Sequence, residues 1–186
     1  MAIIKRPPQM NLSDINVSNA DIATYNTPEA VYARAASLGI RTFPFDIITY
    51  LKRHGIKVEY EEMDDMSGFV QLRNGQFVVG INKYQNETRQ RFTATHELAH
   101  IINDRQDIEN GAFANGESLL FRDNDTRDAR ERRADDLASN ILMPKEIFDN
   151  LLRDGIRNIE EIADRFNVSP AAVKYRAYKL GYIQGY

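Results

Sequence analysis

The amino-acid sequence predicts an α+β fold, in which a small antiparallel three-stranded sheet packs against a bundle of helices and is followed by a helix-turn-helix-like element. Helical patterns stand on both sides of a single run of three extended segments. Strands that follow one another without intervening helices favour this class over a wound parallel sheet. The composition agrees, because 42% of the 186 residues are hydrophobic and 27% are charged, as in an ordinary globular domain.

Composition also excludes several classes of function. The chain has no cysteine, which excludes disulfide scaffolds, thiolate zinc fingers, iron–sulfur clusters and cysteine nucleophiles. Its 24 basic and 27 acidic residues argue against a protein whose whole surface binds nucleic acid. No segment approaches the ~18 apolar residues of a membrane span, and the N-terminal residues lack a signal-peptide pattern. We therefore expect a cytoplasmic protein with no membrane partner.

Helix caps and breakers divide the chain into three expected regions: an irregular N-terminal arm (1–27), a main domain (28–155) and a C-terminal element (156–186). In the main domain, a helix opens at Pro28, because proline suits the first helical position, and it reaches residue 38. A second helix is expected over 44–54, where apolar residues recur at helical spacing.

Three strands follow these helices. Residues 56–60 alternate between apolar and charged side chains, which is typical of a half-exposed strand. The segments 69–73 and 76–81 flank Asn74-Gly75, a pair that favours a tight hairpin turn because both turn positions need positive φ.

Helices are predicted for most of the remaining chain. One begins near Glu87, and a polar insert (103–127) separates it from helices over 128–143 and 144–153. In the insert, only Leu119–Phe121 indicates a strand or an anchored loop.

The C-terminal element contains two short helices, 159–166 and 170–180, joined by a three-residue turn. Asn158 and Ser169 stand at their N-cap positions. This pattern is that of a helix-turn-helix.

His96-Glu97-Leu98-Ala99-His100 is an HExxH motif on the helix that begins near Glu87. Positions i and i+4 lie on one helical face, so the two imidazoles can bind one metal ion. Glu97 is displaced by one residue and can reach a water on that ion. The alternative is a pair of partly buried helix histidines, but apolar neighbours such as Phe92 and Ile102 favour a buried metal site.

The next helix supplies a candidate third ligand. Glu131 and Asp135 share one face, where Ala134 and Ala138 allow a neighbouring helix to approach closely. Glu131 can then reach the metal, and Asp135 can accept the second ring N–H of a ligating histidine. A solvated charged helix is the alternative interpretation, and other nearby carboxylates stay open as ligands: Glu109, Glu117, Asp123 and Asp128.

Two segments, Arg91–His100 and Glu131–Pro144, resemble the paired motifs RFTxAHELxH and ExxAnxFAxxLLMP of the ImmA/IrrE family of bacterial and phage metallopeptidases. Gly68-Phe69 and Ile81-Asn82 also resemble strand segments of that family. The resemblance covers residues 43–180, and one departure is Leu137, where the family usually has phenylalanine.

The resemblance implies a zincin-like helix bundle with a gluzincin-like site. In such a site His96, His100 and Glu131 bind the metal and Glu97 is the catalytic base. The resemblance also implies a substrate class, helix-turn-helix repressors that are cleaved in response to DNA damage or mobile-element signals. Imidazole and carboxylate ligands make Zn²⁺ the first choice of metal and Mn²⁺ or iron the alternative.

The sequence gives weaker signals for the residues that would bind substrate or stabilise the oxyanion. The hairpin strand formed by Phe69, Val70, Gln71 and Leu72 is a candidate for pairing with an extended substrate. The candidates for stabilising the oxyanion are Tyr60, Tyr84, Arg132 and Arg133, each of which is otherwise an ordinary surface residue. His54 stands at a predicted helix end and is assigned no catalytic role.

Two functions without catalysis stay open. The C-terminal helix pair, with Lys174, Arg176 and Lys179, is compatible with a DNA-binding regulator. Residues 156–186 contain five basic and three acidic side chains, which is a small excess for DNA binding, and Tyr175 fits a core or interface better than base stacking. The other is a partner-binding component of a toxin–antitoxin or phage-immunity pair with a silent metal site.

Overall fold

The helices and strands follow the predicted order, with shifts of a few residues at their ends. A computed structural model describes residues 19–111 and 124–185, and side chains within 22–111 and 129–185. In this part of the chain, a short 3-10 helix (Asn19–Thr24) is followed by eight α-helices and three strands. The strands are β1 (Lys57–Glu61), β2 (Gly68–Arg73) and β3 (Gln76–Asn82). The helices are α1 (Pro28–Ser37), α2 (Ile47–Arg53), α3 (Glu87–Asn103), α4 (Arg105–Glu109), α5 (Asn124–Leu142), α6 (Lys145–Arg153), α7 (Ile159–Phe166) and α8 (Pro170–Lys179).

Side-chain caps determine where several helices begin. Each of these caps accepts a hydrogen bond from the backbone N–H three residues later: Thr27, Asp46, Asn86, Asn158 and Ser169. Such caps satisfy one of the N–H groups that the first turn leaves without a partner. The cap at Asp46 explains why α2 begins at Ile47 and not at residue 44 as the periodicity predicts.

The three strands form a mixed sheet in the order β1-β3-β2, so the expected antiparallel sheet is wrong for one of its two pairs. The β2–β3 hairpin is antiparallel as predicted, but β1 pairs in parallel with β3. The hairpin leaves one edge of β3 open, and β1 takes that edge in the same direction as β3. Alternation along β1 predicts a strand but carries no information about its neighbour.

Two glycines allow β2 to lie close to its surroundings. A Cβ on Gly68 would stand 2.3 Å from the Thr93 methyl carbon and 2.6 Å from the Gly80 carbonyl oxygen. A Cβ on Gly80 would stand 2.3 Å from the ring of Phe69, its cross-strand partner. Contacts below 3 Å are excluded sterically, so β2 packs against β3 and α3 at distances that only glycine permits.

Two segments with little predicted structure are partly ordered into helix. The 3-10 helix places Ile22, which is fully buried, in the core; the rest of the predicted arm, residues 1–18, lies outside the described residues. In the predicted insert, α4 forms directly after α3, and α5 begins at Asn124, earlier than expected. The suggested strand at Leu119–Phe121 lies outside the described residues.

The buried apolar side chains form two clusters. The larger one joins the sheet to α1, α2, α3 and the middle of α5, while the smaller one joins the end of α5 to α6, α7 and α8. Phe92 of α3 packs against the smaller cluster from outside it. The proposed boundary after residue 155 falls among the helices that build this smaller cluster and stays a prediction. Among the described residues, no helix is long and apolar enough to cross a bilayer.

Candidate metal centre

Helices α3 and α5 lie side by side and carry the predicted metal-binding residues toward each other. The face of α5 against α3 includes Ala134 and Ala138, both fully buried, so that the two backbones can approach closely. On α3, His96 and His100 are one turn apart. Glu131 of α5 stands opposite both histidines.

Three side chains converge at this helix–helix contact. His96 Nε2 lies 3.0 Å from His100 Nε2 and 3.1 Å from Glu131 Oε2. His100 Nε2 lies 3.5 Å from Glu131 Oε1. Within the described chain these three residues form the group of histidine and carboxylate ligand atoms that could hold a metal ion, all within 4.8 Å of one another.

The second ring nitrogen of each histidine is held by a carboxylate. His96 Nδ1 lies 2.9 Å from Asp135 Oδ1, and His100 Nδ1 lies 2.9 Å from Asp104 Oδ2. A carboxylate only accepts hydrogen bonds, so each Nδ1 carries a proton, and each ring in its neutral form presents a lone pair at Nε2. Two lone pairs and the Glu131 carboxylate therefore face one small space, an arrangement that a cation stabilises.

The spacing of these atoms also fits a metal ion. Ligand atoms bound to zinc at ~2.0–2.1 Å in a tetrahedral arrangement are about 3.3–3.4 Å apart. The three separations in this site, 3.0, 3.1 and 3.5 Å, bracket that value. The donor set of two imidazoles and one carboxylate suits zinc and also manganese or iron.

The charges at the site shift the pKa values of these groups. Burial lowers the pKa of His96, but hydrogen bonds to Asp135 and Glu131 outweigh it and raise that pKa to about 10. Burial likewise lowers the pKa of His100, and hydrogen bonds to Asp104 and Glu131 raise it to about 9. Hydrogen bonds from both histidines hold the pKa of Glu131 below its usual range. These shifts favour the protonated form of both imidazoles at neutral pH when no metal is bound.

Glu97 lies beside this cluster and points toward β2. It is only 7% exposed, and burial raises the pKa of its carboxyl group. Its Oε1 would be 3.5 Å from a Cβ built on Gly68, which places the carboxylate against the start of β2. A buried carboxylate with a raised pKa is a better proton acceptor at neutral pH than an ordinary glutamate.

A cleft of about 920 Å³ opens over these residues. One wall consists of the start of β2, and the floor includes His96, His100 and Glu97. The opposite wall is formed by Val168, Ser169 and the first residues of α8. The α7–α8 turn and α8 therefore form part of the cleft.

Asn82 supports the rim of the cleft at the start of β2. Its side-chain amide donates to the carbonyl oxygens of Met63 and Met66, at 2.7 and 3.0 Å, and its backbone N–H donates to the carbonyl of Ser67. These bonds hold the loop between β1 and β2 against the end of β3.

Only some of the other predicted site residues reach the cleft. Of the four strand residues, Phe69 and Val70 line it, and Gln71 and Leu72 lie beyond it. The four oxyanion candidates Tyr60, Tyr84, Arg132 and Arg133 are absent from its walls. Tyr84 donates to Glu62 and Arg133 to Asp104 instead.

One of the alternative third ligands has another partner, and the other three lie outside the described side chains. Glu109 pairs with Arg105 on α4. Glu117 and Asp123 lie outside the described residues, as does the side chain of Asp128. His54 is fully buried, its Nδ1 3.0 Å from the Tyr50 carbonyl, away from the cleft.

Sequence reasoning missed three residues at the site. Asp104 follows His100 by four positions on the same helix, and this spacing could have identified it. Arg89 and Tyr175 both line the cleft and carry proton donors. Tyr175 comes from α8, so only the packing of the C-terminal helices brings it there.

Residues 51–178 match the model of a protein family described as the IrrE N-terminal-like domain, peptidase M78. The chain belongs to the ImmA/IrrE family of metallopeptidases. The matched span contains all three strands, both histidines, Glu131 and the α7–α8 turn. Membership in this family implies a metal ion, and the converging histidines and Glu131 are residues that could bind it.

Comparison with solved structures shows that the fold recurs elsewhere. A "Mycobacterium tuberculosis transcriptional regulator" superposes with a TM-score of 0.55 at 17% sequence identity, over 84% of this chain and 48% of that one. The chain thus spans about half the length of that regulator. At this identity the likeness concerns the fold alone. No curated protein matches the sequence.

Proposed function

We propose that this protein is a zinc-dependent endopeptidase of the ImmA/IrrE family. His96, His100 and Glu131 hold the metal, with Mn²⁺ as the alternative ion, and Glu97 is the catalytic base. One observation carries the proposal: two Nε2 lone pairs and a carboxylate converge beside a buried glutamate on the floor of an open cleft. A structural metal site would not need that glutamate or the cleft.

Each residue has a distinct role in this proposal. When bound, a divalent cation activates water and polarises the substrate carbonyl. Glu97 accepts the proton of the attacking water and returns it to the leaving amine. Asp135 keeps the His96 proton on Nδ1, which reserves Nε2 for the metal.

The substrate is proposed to bind as an extended segment along the free edge of β2. In the sheet order β1-β3-β2, β2 is an edge strand, and its first residues line the cleft. Unpaired backbone groups on such an edge can add a strand from a partner. From the family resemblance we propose that the natural substrate is a helix-turn-helix repressor in the cytoplasm.

The observations oppose the DNA-binding alternative. In a helix-turn-helix, the N-terminal residues of the second helix contact base edges, but here those residues line the cleft. Arg176 is buried and donates to the Met143 carbonyl, and Lys179 pairs with Asp136. Of these three cations, only Lys174 is both exposed and without an ion pair to the residues that the structure describes. Duplex binding that weakens steeply with salt would revive this alternative.

The test combines metal content with proteolysis. We expect about one equivalent of zinc in the wild type and its loss in His96→Ala and Glu131→Ala. Glu97→Gln should keep the metal and lose about 10²–10⁴-fold in the rate of peptide hydrolysis. The substrates are a quenched-fluorescent peptide library and a panel of helix-turn-helix repressors.

Glu109→Gln is the matched control, since this carboxylate pairs with Arg105 outside the site. It should keep both metal and activity. Full activity of Glu97→Gln would refute the assigned base, and zinc retained by Glu131→Ala would refute the third ligand. A wild type that binds zinc but hydrolyses no member of either set would favour the partner-binding module with a silent site.

A further inference from the structure

Asp104 lies between α3 and α4, and its carboxylate stabilises the end of neither helix. As the C-cap of α3 it places a negative charge at a helix C-terminus, which the helix dipole disfavours. It is also the N-cap of α4, a position at which aspartate usually accepts a backbone hydrogen bond, yet its side chain makes none. The side chain is only 4% exposed. A buried carboxylate in this position requires another explanation.

The partners of Asp104 supply that explanation. Its Oδ2 accepts the hydrogen bond from His100 Nδ1 at 2.9 Å. Its Oδ1 faces α5, 3.5 Å from Arg133 Nη2 and 3.8 Å from Arg130 Nε. These arginines stand on either side of Glu131 in the sequence, so Asp104 joins His100 to the segment of α5 that presents Glu131.

We propose that Asp104 is a positioning residue of the metal centre, an inference that rests on the proposed metal-dependent function. By keeping the His100 proton on Nδ1, it reserves Nε2 for the metal. Its ion pairs with Arg130 and Arg133 hold the Asp104 carboxylate between His100 and α5. Asp135 keeps the His96 proton on Nδ1 from the neighbouring helix, whereas Asp104 acts from the C-cap of the helix that carries His100.

The experiment compares zinc affinity in four forms of the full chain: wild type, Asp104→Ala, Asp104→Asn and Asp107→Asn. Dissociation constants are measured by competition with a chromogenic chelator. Asp104→Ala should bind zinc about 10–100-fold more weakly, the usual effect of removing such a hydrogen-bond partner. Asp104→Asn should lose less, because its amide oxygen still accepts the Nδ1 proton.

Asp107→Asn is the matched control. Asp107 lies on α4 and pairs with Arg130, so its replacement disturbs the ion pairs between α4 and α5 and keeps the Asp104–His100 hydrogen bond. Its zinc affinity should stay at the wild-type value. An equal loss in Asp107→Asn and Asp104→Ala would overturn the proposal, because the effect would then belong to the α4–α5 ion pairs.

A spectroscopic signature separates positioning from a general loss of structure. In proton–nitrogen NMR spectra of the zinc-loaded chain, the Nδ1 proton of His100 should be protected in the wild type and in Asp107→Asn. It should exchange rapidly in Asp104→Ala. If Asp104→Ala does not fold, Asp104→Asn carries the affinity test. Wild-type affinity in folded Asp104→Ala, with a protected proton, would refute the role. In Asp104→Asn, which keeps an acceptor, rapid exchange of the proton with wild-type affinity would refute it.

Because zinc affinity is measured without proteolysis, the two proposals can fail separately. A chain whose zinc affinity depends on Asp104 but which cleaves no peptide would support the positioning role and contradict the endopeptidase. A wild-type chain that binds no zinc would overturn both.

Discussion

In the proposed metal centre, protons compete with the metal ion for the Nε2 atoms of His96 and His100. Hydrogen bonds to carboxylates raise the pKa of His96 to about 10 and that of His100 to about 9 in the metal-free chain. A metal ion requires neutral imidazoles, so binding at neutral pH must release protons. The carboxylates that orient the rings thus also make metal uptake sensitive to pH.

This competition predicts opposite pH trends for the metal-free and metal-loaded chains. The two histidines bind protons more tightly when folded than when unfolded, where their pKa is about 6.5. Their contribution to the stability of the metal-free chain is therefore complete below about pH 6.5 and is lost as pH rises through about 9 and then about 10. We expect the melting temperature measured with a chelator to fall over this pH range. The increase in melting temperature that zinc causes should become larger over the same range.

The double variant His96→Ala, His100→Ala is the control for that titration. It should show a smaller decrease with pH in the chelator and no response to zinc. His54 is present in all forms and cannot account for a difference. A metal-free wild type that becomes more stable as pH rises from 6.5 to 10 would contradict the assigned pKa shifts.

At the scale of elements, β2 is an edge strand of the described sheet, and its first residues line the cleft. Ser67 accepts a hydrogen bond from the Asn82 N–H. Because bonded and non-bonded positions alternate along an antiparallel pair, this bond determines which residues of β2 bond to β3. The backbone of Phe69 then bonds to β3, whereas the N–H and C=O of Val70 point away from β3, toward the outer edge of β2. Val70 also lines the cleft, and its N–H is the group that we propose to pair with an extended substrate.

Val70→Pro tests substrate pairing at this edge. Proline removes an N–H that β3 does not use, and edge strands tolerate it on their open side. We expect kcat/KM for peptide substrates to fall mainly through KM, by about tenfold for the loss of one hydrogen bond of ~1.5 kcal/mol. Zinc content should be unchanged.

Val70→Ala is the matched control, because it keeps the N–H and loses side-chain packing. It should lower stability and leave KM close to the wild-type value. If both variants raise KM equally, packing and not backbone pairing would be the cause.

At the scale of the whole molecule, Arg91 of α3 forms hydrogen bonds that connect the C-terminal helices to the larger apolar cluster. Its guanidinium donates to the Asn167 carbonyl at 3.2 Å and to the Phe45 carbonyl at 2.9 Å. Asn167 is the left-handed residue of the α7–α8 turn, and its side chain donates to Glu87 of α3. The wall of the cleft formed by this turn is therefore held by bonds to α3, the helix that carries the histidines.

Arg91→Ala should destabilise the protein by about 1.5–3 kcal/mol, the range for hydrogen bonds to charged groups. The effect should concentrate at the α7–α8 turn, so amide exchange there should accelerate more than in β3. Urea unfolding and hydrogen-exchange mass spectrometry measure the two effects.

Arg165→Ala provides the comparison, since Arg165 forms only an exposed pair with Glu161 at 3.6 Å. Such a pair contributes at most about 0.5 kcal/mol. Equal exchange at the turn in wild type and Arg91→Ala would show that the apolar cluster alone holds the wall.

Features that depend on neighbours in the chain could be predicted from the sequence. Thr27, Asn86, Asn158 and Ser169 cap helices because their partners are three residues away, and Asn74-Gly75 makes the hairpin through backbone angles of its own. The spacing of the HExxH motif places two imidazoles on one helical face by helix geometry alone.

Tertiary structure decided what depends on packing between distant segments. The direction of β1, the approach of Glu131 rather than another carboxylate, and the arrival of Tyr175 at the cleft all follow from it. Periodicity records which face of an element is apolar but not which neighbour covers that face. Small residues at Gly68, Gly80, Ala134 and Ala138 permit the close approach. For the two alanines the sequence predicted it, whereas the contacts of the two glycines appear only in the tertiary structure.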